Sequence, residues 1–246
     1  MRVVASIEAR MGSSRLPGKV LADINGQPAL KRLIERLKKC KSLDDIILAT
    51  STSKTDDVLA NWAHNENILC YRGDEDDVLK RVVDAHASIN SELIVEITGD
   101  SILSDPDIID MGVNTYLAND CDVVTNCGNH LTYPMGVYVQ VFKYLDLQRI
   151  SERIDDPIVR EHVSLYFYEN TDKYKVINLV APPPLNAPHY RFQLDYEEDL
   201  IFINEIYKRL EPIYGDDFGV VEIMNVIKKE PELVNINIHC VEKSVR

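Results

Sequence analysis

Between Ala9 and Lys19 the chain reads A-R-M-G-S-S-R-L-P-G-K, and these residue types suit one kind of ligand. Arg10, Arg15 and Lys19 supply charge-assisted bonds to phosphate oxygens, Ser13 and Ser14 add hydroxyl and amide donors, and Gly12 and Gly18 let the backbone approach closely. Over residues 1–22 four cations, Arg2, Arg10, Arg15 and Lys19, stand against one acid, Glu8, in a chain of formal charge -13. A polyphosphate would find its counter-charge here. The loop is not a Walker loop, because GxxxxGK[ST] is absent, and Gly12 has no GxGxxG continuation. The competing reading is a solvated loop whose cations make surface pairs.

The elements that must position this loop follow from periodicity. Val3, Val4, Ala5 and Ile7 predict a short strand, and Ala29, Leu30, Leu33, Ile34 and Leu37 recur at helical spacing behind Pro28. A strand over Ile46 to Thr50 precedes a helix with Val58, Leu59, Trp62 and Ala63 as its buried stripe. Ile68 to Tyr71 is a third strand. The acidic run Asp74 to Asp77 suits the N-terminus of a helix carrying Val78, Leu79, Val82, Val83 and His86. Leu93 to Ile97 is nearly continuous in apolar character, as a central strand covered on both faces should be. It ends at Thr98-Gly99-Asp100, and Asp105-Pro106 then caps a helix with Ile108, Ile109, Val113, Tyr116 and Leu117. Alternation of this kind predicts an α/β fold with a doubly wound, mostly parallel sheet of Rossmann-like type. In such a sheet the loop after the first strand lies at the carboxyl edge, where ligands bind.

After Cys121 the rhythm changes. Asp122 to Thr125 and Gly136 to Phe142 read as strands, Pro157 to Tyr168 as a helix, Lys175 to Val180 as a strand, and Ala181 to Pro184 as an extended connector. His189 to Leu194 returns to a strand, and Tyr196 to Leu210 and Val220 to Lys228 read as helices. The expectation is one domain over 1–246, with 126–188 as an insertion or flap within it.

A chain of 246 residues with 45% hydrophobic and 27% charged residues buries a core without disulfides. The acidic balance argues against nucleic acid or an anionic membrane as partner. The N-terminus has neither a spanning segment nor the apolar stretch of a signal peptide, which reads as a cytoplasmic protein. Cysteines 40, 70, 121, 127 and 240 form no CxxC pair and read as free thiols.

The opening loop is similar to the nucleotide-binding signature of the acylneuraminate and ulosonate cytidylyltransferases, in particular the SpsF-like branch of spore coat polysaccharide biosynthesis. In register with it, Y-R-G-D-E-D-D-V-L from Tyr71, I-T-G-D ending at Asp100, R-E-H-V from Arg160, and R-F-Q-L-D from Arg191 through Glu198-Asp199-Leu200 resemble segments of that family, over about residues 1 to 210. The resemblance implies a nucleotidyltransferase that moves CMP from CTP to an acidic sugar and releases pyrophosphate. It implies Mg²⁺ on Asp100 and Asp195, catalytic roles for Arg10, Lys19 and Asp100, and a nucleotide site of Ala9, Arg10, Gly12, Ser13, Ser14, Arg15, Lys19, Arg72 and Gly73. Tyr133, Arg160, His162 and Arg191 would contact the acceptor, the arginines by bidentate pairing with a carboxylate. A homodimer formed through the middle section is the family-level expectation.

Other readings of these residues stand beside that one. Asp195 with Glu198 fits a D-x-x-E helix cap, Asp100 could close a turn after Gly99, and His162 could brace a helix. Asp74 to Asp77 reads as a solvated helix start, although it contains the only Asp-x-Asp spacing near a strand end, which a nucleotide-sugar-dependent glycosyltransferase would need. A nucleotide-binding regulator without turnover is the third class. Departures from the family gather on the acceptor side. Where relatives read T-Y-P-x-G-L-D-V-E-V-F, this chain has Tyr138 and Gln140 in place of the two acids; Ser101-Ile102-Leu103 replaces C-P-L, and Glu8 replaces Gln.

Overall fold

The apolar run near the N-terminus forms β1 (Val3–Glu8), and two short strands, β2 (Asp23–Ile24) and β3 (Gln27–Pro28), pair just before α1 (Ala29–Leu37). Then follow β4 (Asp45–Ser51), α2 (Asp57–Asn65), β5 (Leu69–Gly73), α3 (Val78–Ser88), β6 (Leu93–Thr98) and α4 (Pro106–Ala118). The second half contributes β7 (Val123–Thr125), β8 (Gln140–Lys143), α5 (Tyr144–Arg153), α6 (Pro157–Glu161), α7 (Leu165–Glu169), β9 (Val176–Asn178), α8 (Glu197–Tyr214) and α9 (Val220–Lys229). This computed structural model describes residues 1–128 and 130–241; of the predicted 1–246 domain and 126–188 section, residues 129 and 242–246 lie outside the described residues.

Seven strands form one sheet in the order β5-β4-β1-β6-β8-β7-β9. Every adjacent pair is parallel except the two that involve β8. Residues alternate between two cores, as the period of a strand requires. Val3, Ala5 and Ile7 of β1 pack with α1, α4, α8 and α9, whereas Val4 joins Ile94, Leu79, Val82 and Phe167 beneath α3 and α7. From β1 the chain winds outward through β4 and β5, then returns to place β6 on the other side of β1. That reversal sets the crevice at the carboxyl ends of β1 and β6. β8 and β9, from the 126–188 section, are strands of this same sheet.

The first half follows its periodicity with small differences. Leu59 and Ala63 carry the buried stripe of α2, while Val58 and, on α4, Leu117 face outward. The second half differs more. Only Gln140–Lys143 of the expected strand from Gly136 is laddered, because the Asn126 side chain takes the place of a neighbouring strand: its Nδ2 donates to Val137 O and its Oδ1 accepts from Val139 N. The expected helix over Pro157 to Tyr168 breaks at His162, where the backbone is extended. The break lets Val163 enter the core and Ser164 Oγ reach Gln140 Oε1 at 2.6 Å. His189 to Leu194 is not a ladder strand; it makes one bridge, between Met135 and Arg191. The five cysteines are free thiols, Cys70 exposed among them, and no helix of the described residues is long and apolar enough to cross a membrane.

Candidate active site

The loop after β1 is built by its own backbone. Met11 O accepts from Ser13 N at 2.9 Å and from Gly18 N at 3.1 Å, and Gly18, at φ +72°, turns the chain into the short helical turn Lys19–Leu21. A second anchor comes from Asp56, buried at the start of α2, whose Oδ1 accepts from Met11 N at 2.7 Å and whose Oδ2 accepts from Ser51 Oγ. Beside the loop, Gly99 N donates to Glu8 O at 2.9 Å. A Cβ on Gly99 would lie 2.8 Å from both Ala9 Cβ and Glu8 O, so only glycine lets β6 end so near the start of the loop.

Lys19 is thereby placed between two carboxylates. Its Nζ lies 2.7 Å from Asp100 Oδ2 and 2.8 Å from Asp195 Oδ1. Asp100 leaves the end of β6, with Oδ1 accepting from Thr98 Oγ1 at 2.7 Å and Oδ2 from Gln193 Nε2 at 3.3 Å. Asp195 arrives along an extended segment whose Leu194 N donates to Asp100 O at 2.9 Å. Arg15 and Arg191 close on Asp195 Oδ2 at 2.9 and 2.8 Å, and both guanidinium groups lie against the Tyr196 ring. Burial disfavours both charged forms, and the ion pairs outweigh it: Asp100 is held below the usual carboxylate range, chiefly by Lys19, and Lys19 is held above its own range by Asp100 and Asp195.

Asp195 is not the cap of α8. Tyr196 is the N-cap, and Asp199 at the third helical position closes a capping box, its Oδ2 accepting from the backbone N–H groups of Asp195 and Tyr196, both at 2.9 Å. Asp199 in turn is paired with Arg191 Nε at 2.9 Å and accepts from Asn237 Nδ2 at 2.9 Å. Arg191 thus joins Asp195 to the helix start from inside the protein.

The remaining sequence-predicted residues lie in several different places. Ala9 is buried under Gly99, and Gly12 and Ser14 are exposed on the loop, with Ser13 half-buried. Arg72 is turned to Ser51 O, Ser53 O and Asp57, bracing the ends of β4 and β5 where Gly73 O accepts from Thr52 N. Arg10, 3.7 Å from Glu75, shares a groove of about 370 Å³ with Arg160, which holds Asp77 at 2.6 Å and the carbonyls of Ser151 and Ile154. His162 stands at the break between α6 and α7. Tyr133 and Arg191 are in the interior, 3% and 2% exposed. Asp77 caps α3 through Lys80 N at 3.0 Å, in agreement with a helix start for the acidic run.

Sequence reasoning missed Asp56, Gln193 and Asp199 as parts of the site, and it missed a pair of buried acids. Glu8 and Glu96 lie on the same face of neighbouring strands, where burial lifts Glu8 well above the carboxylate range, reinforced by Glu96, and lifts Glu96 to about 7. Gln140 is buried too, accepting from Ser164 and Tyr168, so this departure from the relatives acts in the interior under α7.

Two carboxylates that converge on one ammonium form a donor set suited to a small cation. Mg²⁺ bound with substrate phosphates takes one or two carboxylates and fills its octahedron with phosphate oxygens and water, and Asp100 and Asp195 match that number.

A family model described as "Cytidylyltransferase" matches residues 4–225. The spore coat polysaccharide biosynthesis protein SpsF of Bacillus subtilis is 30% identical over 233 residues, 92% of this chain and 94% of its own. A 3-deoxy-manno-octulosonate cytidylyltransferase of Syntrophotalea carbinolica is 34% identical over 113 residues, 46% of this chain and 44% of its own. Among solved structures, a cytidylyltransferase from Leptospira borgpetersenii superposes with a TM-score of 0.89 at 29% identity, covering 99% of this chain and 100% of that one. A match this long, over the crevice and the sheet that carries it, makes the chain a member of the cytidylyltransferase family.

Proposed function

We propose that the protein transfers CMP from CTP to a hydroxyl of an acidic sugar of the ulosonic or nonulosonic type, releasing pyrophosphate, in surface polysaccharide biosynthesis. The observation that carries this reading is Lys19 held between Asp100 and Asp195 under a glycine-containing cationic loop. The acceptor oxygen forms its bond to the α-phosphorus as the bridging bond to the β-phosphate breaks. The electron pair leaves with pyrophosphate, and the hydroxyl proton goes to solvent.

Lys19 keeps its proton because its two carboxylate partners outweigh burial, so it remains a cation for the β- and γ-phosphates. Arg15, already at the crevice, and Arg10, on the loosest of the loop's ion pairs, are the next cations within reach. Asp100 and Asp195 would hold Mg²⁺, which when bound neutralises phosphate charge and orients the triphosphate. The loop backbone donors of Gly12 and Ser14, the Ser13 hydroxyl and the edge at Arg72 and Gly73 complete the nucleotide side. Catalysis is then chiefly positioning and electrostatics.

For the acceptor, the names of the relatives support an anionic sugar; the groove shared by Arg10 and Arg160 also carries Asp74, Glu75, Asp76, Asp77, Asp155 and Glu161 and adds nothing to that reading. The 126–188 section is assigned to the acceptor side and to a homodimer contact. Supporting the contact, Leu131 and Val180 are exposed apolar side chains brought together where Ala181 N donates to Thr132 Oγ1. Pyrophosphate release from four nucleoside triphosphates, with and without Mg²⁺ and with 3-deoxy-manno-octulosonate and a nonulosonic acid as acceptors, tests the reading. Release confined to CTP with Mg²⁺ and an acid sugar is expected. Sugar transfer from a nucleotide-sugar without pyrophosphate would overturn it, and elution as a monomer would overturn the dimer.

A further inference from the structure

We infer that Gln193 is a positioning residue for the acceptor, its side-chain carbonyl oxygen accepting a hydrogen bond from the attacking hydroxyl; the inference rests on the nucleotidyl-transfer reading above. Gln193 is 8% exposed and reaches the crevice through Asp100, two residues before Asp195 on the same extended segment. Its Nε2 donates to Asp100 Oδ2. Among the described residues its Oε1, fully buried, has no hydrogen-bond partner.

Chemistry fixes this orientation. An ionised carboxylate only accepts, so the amide must turn its NH₂ toward Asp100, and its carbonyl oxygen is then obliged to face the other way. The backbone allows little adjustment. Leu194 N is bonded to Asp100 O, and Gly136, at φ +90°, packs so tightly that a Cβ there would lie 2.6 Å from Gln193 N. Gln193 is therefore held between the carboxylate of the triphosphate site and the segment around Gly136, on the acceptor side.

The missing partner must be a donor, and the protein's nearby donors are committed: Lys19 to Asp100 and Asp195, Arg15 and Arg191 to Asp195. A triphosphate chain brings only acceptors. The ligand group that must lie beside the α-phosphorus and carries a proton is the attacking hydroxyl. Accepting that proton in a hydrogen bond aims the oxygen's lone pair at phosphorus. A carboxamide is no base, so the proton itself is released to solvent as the new P–O bond forms and pyrophosphate departs. Lys19 and Gln193 meet on the same oxygen of Asp100, so the hydroxyl enters beside the lysine that serves the phosphates.

The test compares wild type with Gln193→Met, which keeps the volume without the amide, and with Gln193→Asn, which keeps the amide one methylene short. The probes are 3-deoxy-manno-octulosonate, its analogue lacking the hemiketal hydroxyl as a competitive inhibitor, and CTP with Mg²⁺. Expected is a fall of about 10- to 100-fold in kcat/KM for the acceptor in both variants, with an unchanged CTP-induced shift in Tm. Wild type should bind the deoxygenated analogue more weakly than the parent acid, and the variants should not distinguish the two. Equal loss of CTP affinity would overturn the inference in favour of a ribose contact, and so would wild-type kinetics. If wild type transfers CMP only to neutral or phosphorylated hydroxyl compounds, the acidic-sugar reading fails alone, and the same comparison on that acceptor decides the role of Gln193. No transfer to any hydroxyl acceptor overturns both.

Discussion

Lys19 Nζ stands 2.7 Å from Asp100 Oδ2, joining the loop after β1 to the end of β6 across the point where the strand order reverses. Replacing Asp100 by Asn keeps the shape while removing the charge, its amide oxygen accepting from Lys19 and Gln193 and its NH₂ donating to Thr98 Oγ1. Lys19 retains Asp195 as its partner, so little stability should be lost. Pyrophosphate release from CTP should fall by at least about 10²-fold, the scale on which a group that neutralises transition-state charge acts. Coupled-enzyme detection of pyrophosphate together with thermal melting would check it; wild-type turnover in Asp100→Asn would remove Asp100 from the mechanism.

Arg191 acts behind the site. It is the interior cation shared by Asp195 and Asp199, and those two carboxylates are 1% and 0% exposed. Truncation to Ala would leave buried charge without its counter-ion, at a cost of about 3–5 kcal/mol. Arg191→Lys cannot form both contacts in the planar geometry that guanidinium offers, and should recover only part of the loss. Urea denaturation of both variants is the measurement, and stability equal to wild type would show that the pair is dispensable.

Legibility in the sequence follows what each signal measures. Apolar spacing read β1, α1, β4, α3, β6 and α4 well, because each presents a regular face to a continuous core, and charge density pointed to Lys19 and Arg15. Side chains that replace backbone partners were opaque: Asn126 imitates a strand beside Val137 and Val139, and the capping box that the D-x-x-E pattern offered to Asp195 and Glu198 is formed one residue later by Tyr196 and Asp199. Glu96 was hidden inside an apolar run, since a single acid does not disturb a strand's hydrophobic average. Gln193 lay within the R-F-Q-L-D segment but drew no role from it; only Asp100, distant in sequence, gives it one.

Glu96 gives a stability prediction with a definite sign. Burial lifts its pKa to about 7 from 4.5, and its Oε2 has no hydrogen-bond partner among the described residues. Between these values the unfolded chain has released the proton that the folded chain still holds, so this group's contribution declines as pH rises from about 4.5 to about 7 and is flat above. The full difference is about 3 kcal/mol. Glu96→Gln mimics the protonated acid, so it should stabilise the protein at pH 8 and have almost no effect below pH 4.5. Denaturation midpoints at both pH values would check this, and a gain that is equal at the two would contradict the assignment.

Gly99 tests whether the crevice depends on the closeness of two strand ends. The backbone there needs no left-handed conformation; what it needs is the missing Cβ, because Ala9 Cβ and Glu8 O both lie within 2.8 Å of where one would stand. One of those neighbours is backbone and belongs to the β1 ladder, so it cannot step aside as a flexible side chain could. Gly99→Ala should therefore cost about 1–3 kcal/mol of stability by overpacking. The displacement would fall on Ala9 and on Asp100, at the two edges of the proposed triphosphate site. KM for CTP should rise and kcat should fall together, while an alanine at the exposed Gly26, which meets nothing within 4 Å but sits at φ +84°, should cost stability through backbone strain without altering either constant. Steady-state kinetics on the two variants, set beside their melting temperatures, separates the effects; parallel losses of stability with unchanged kinetics in both would mean that the approach of Gly99 to Ala9 serves packing alone.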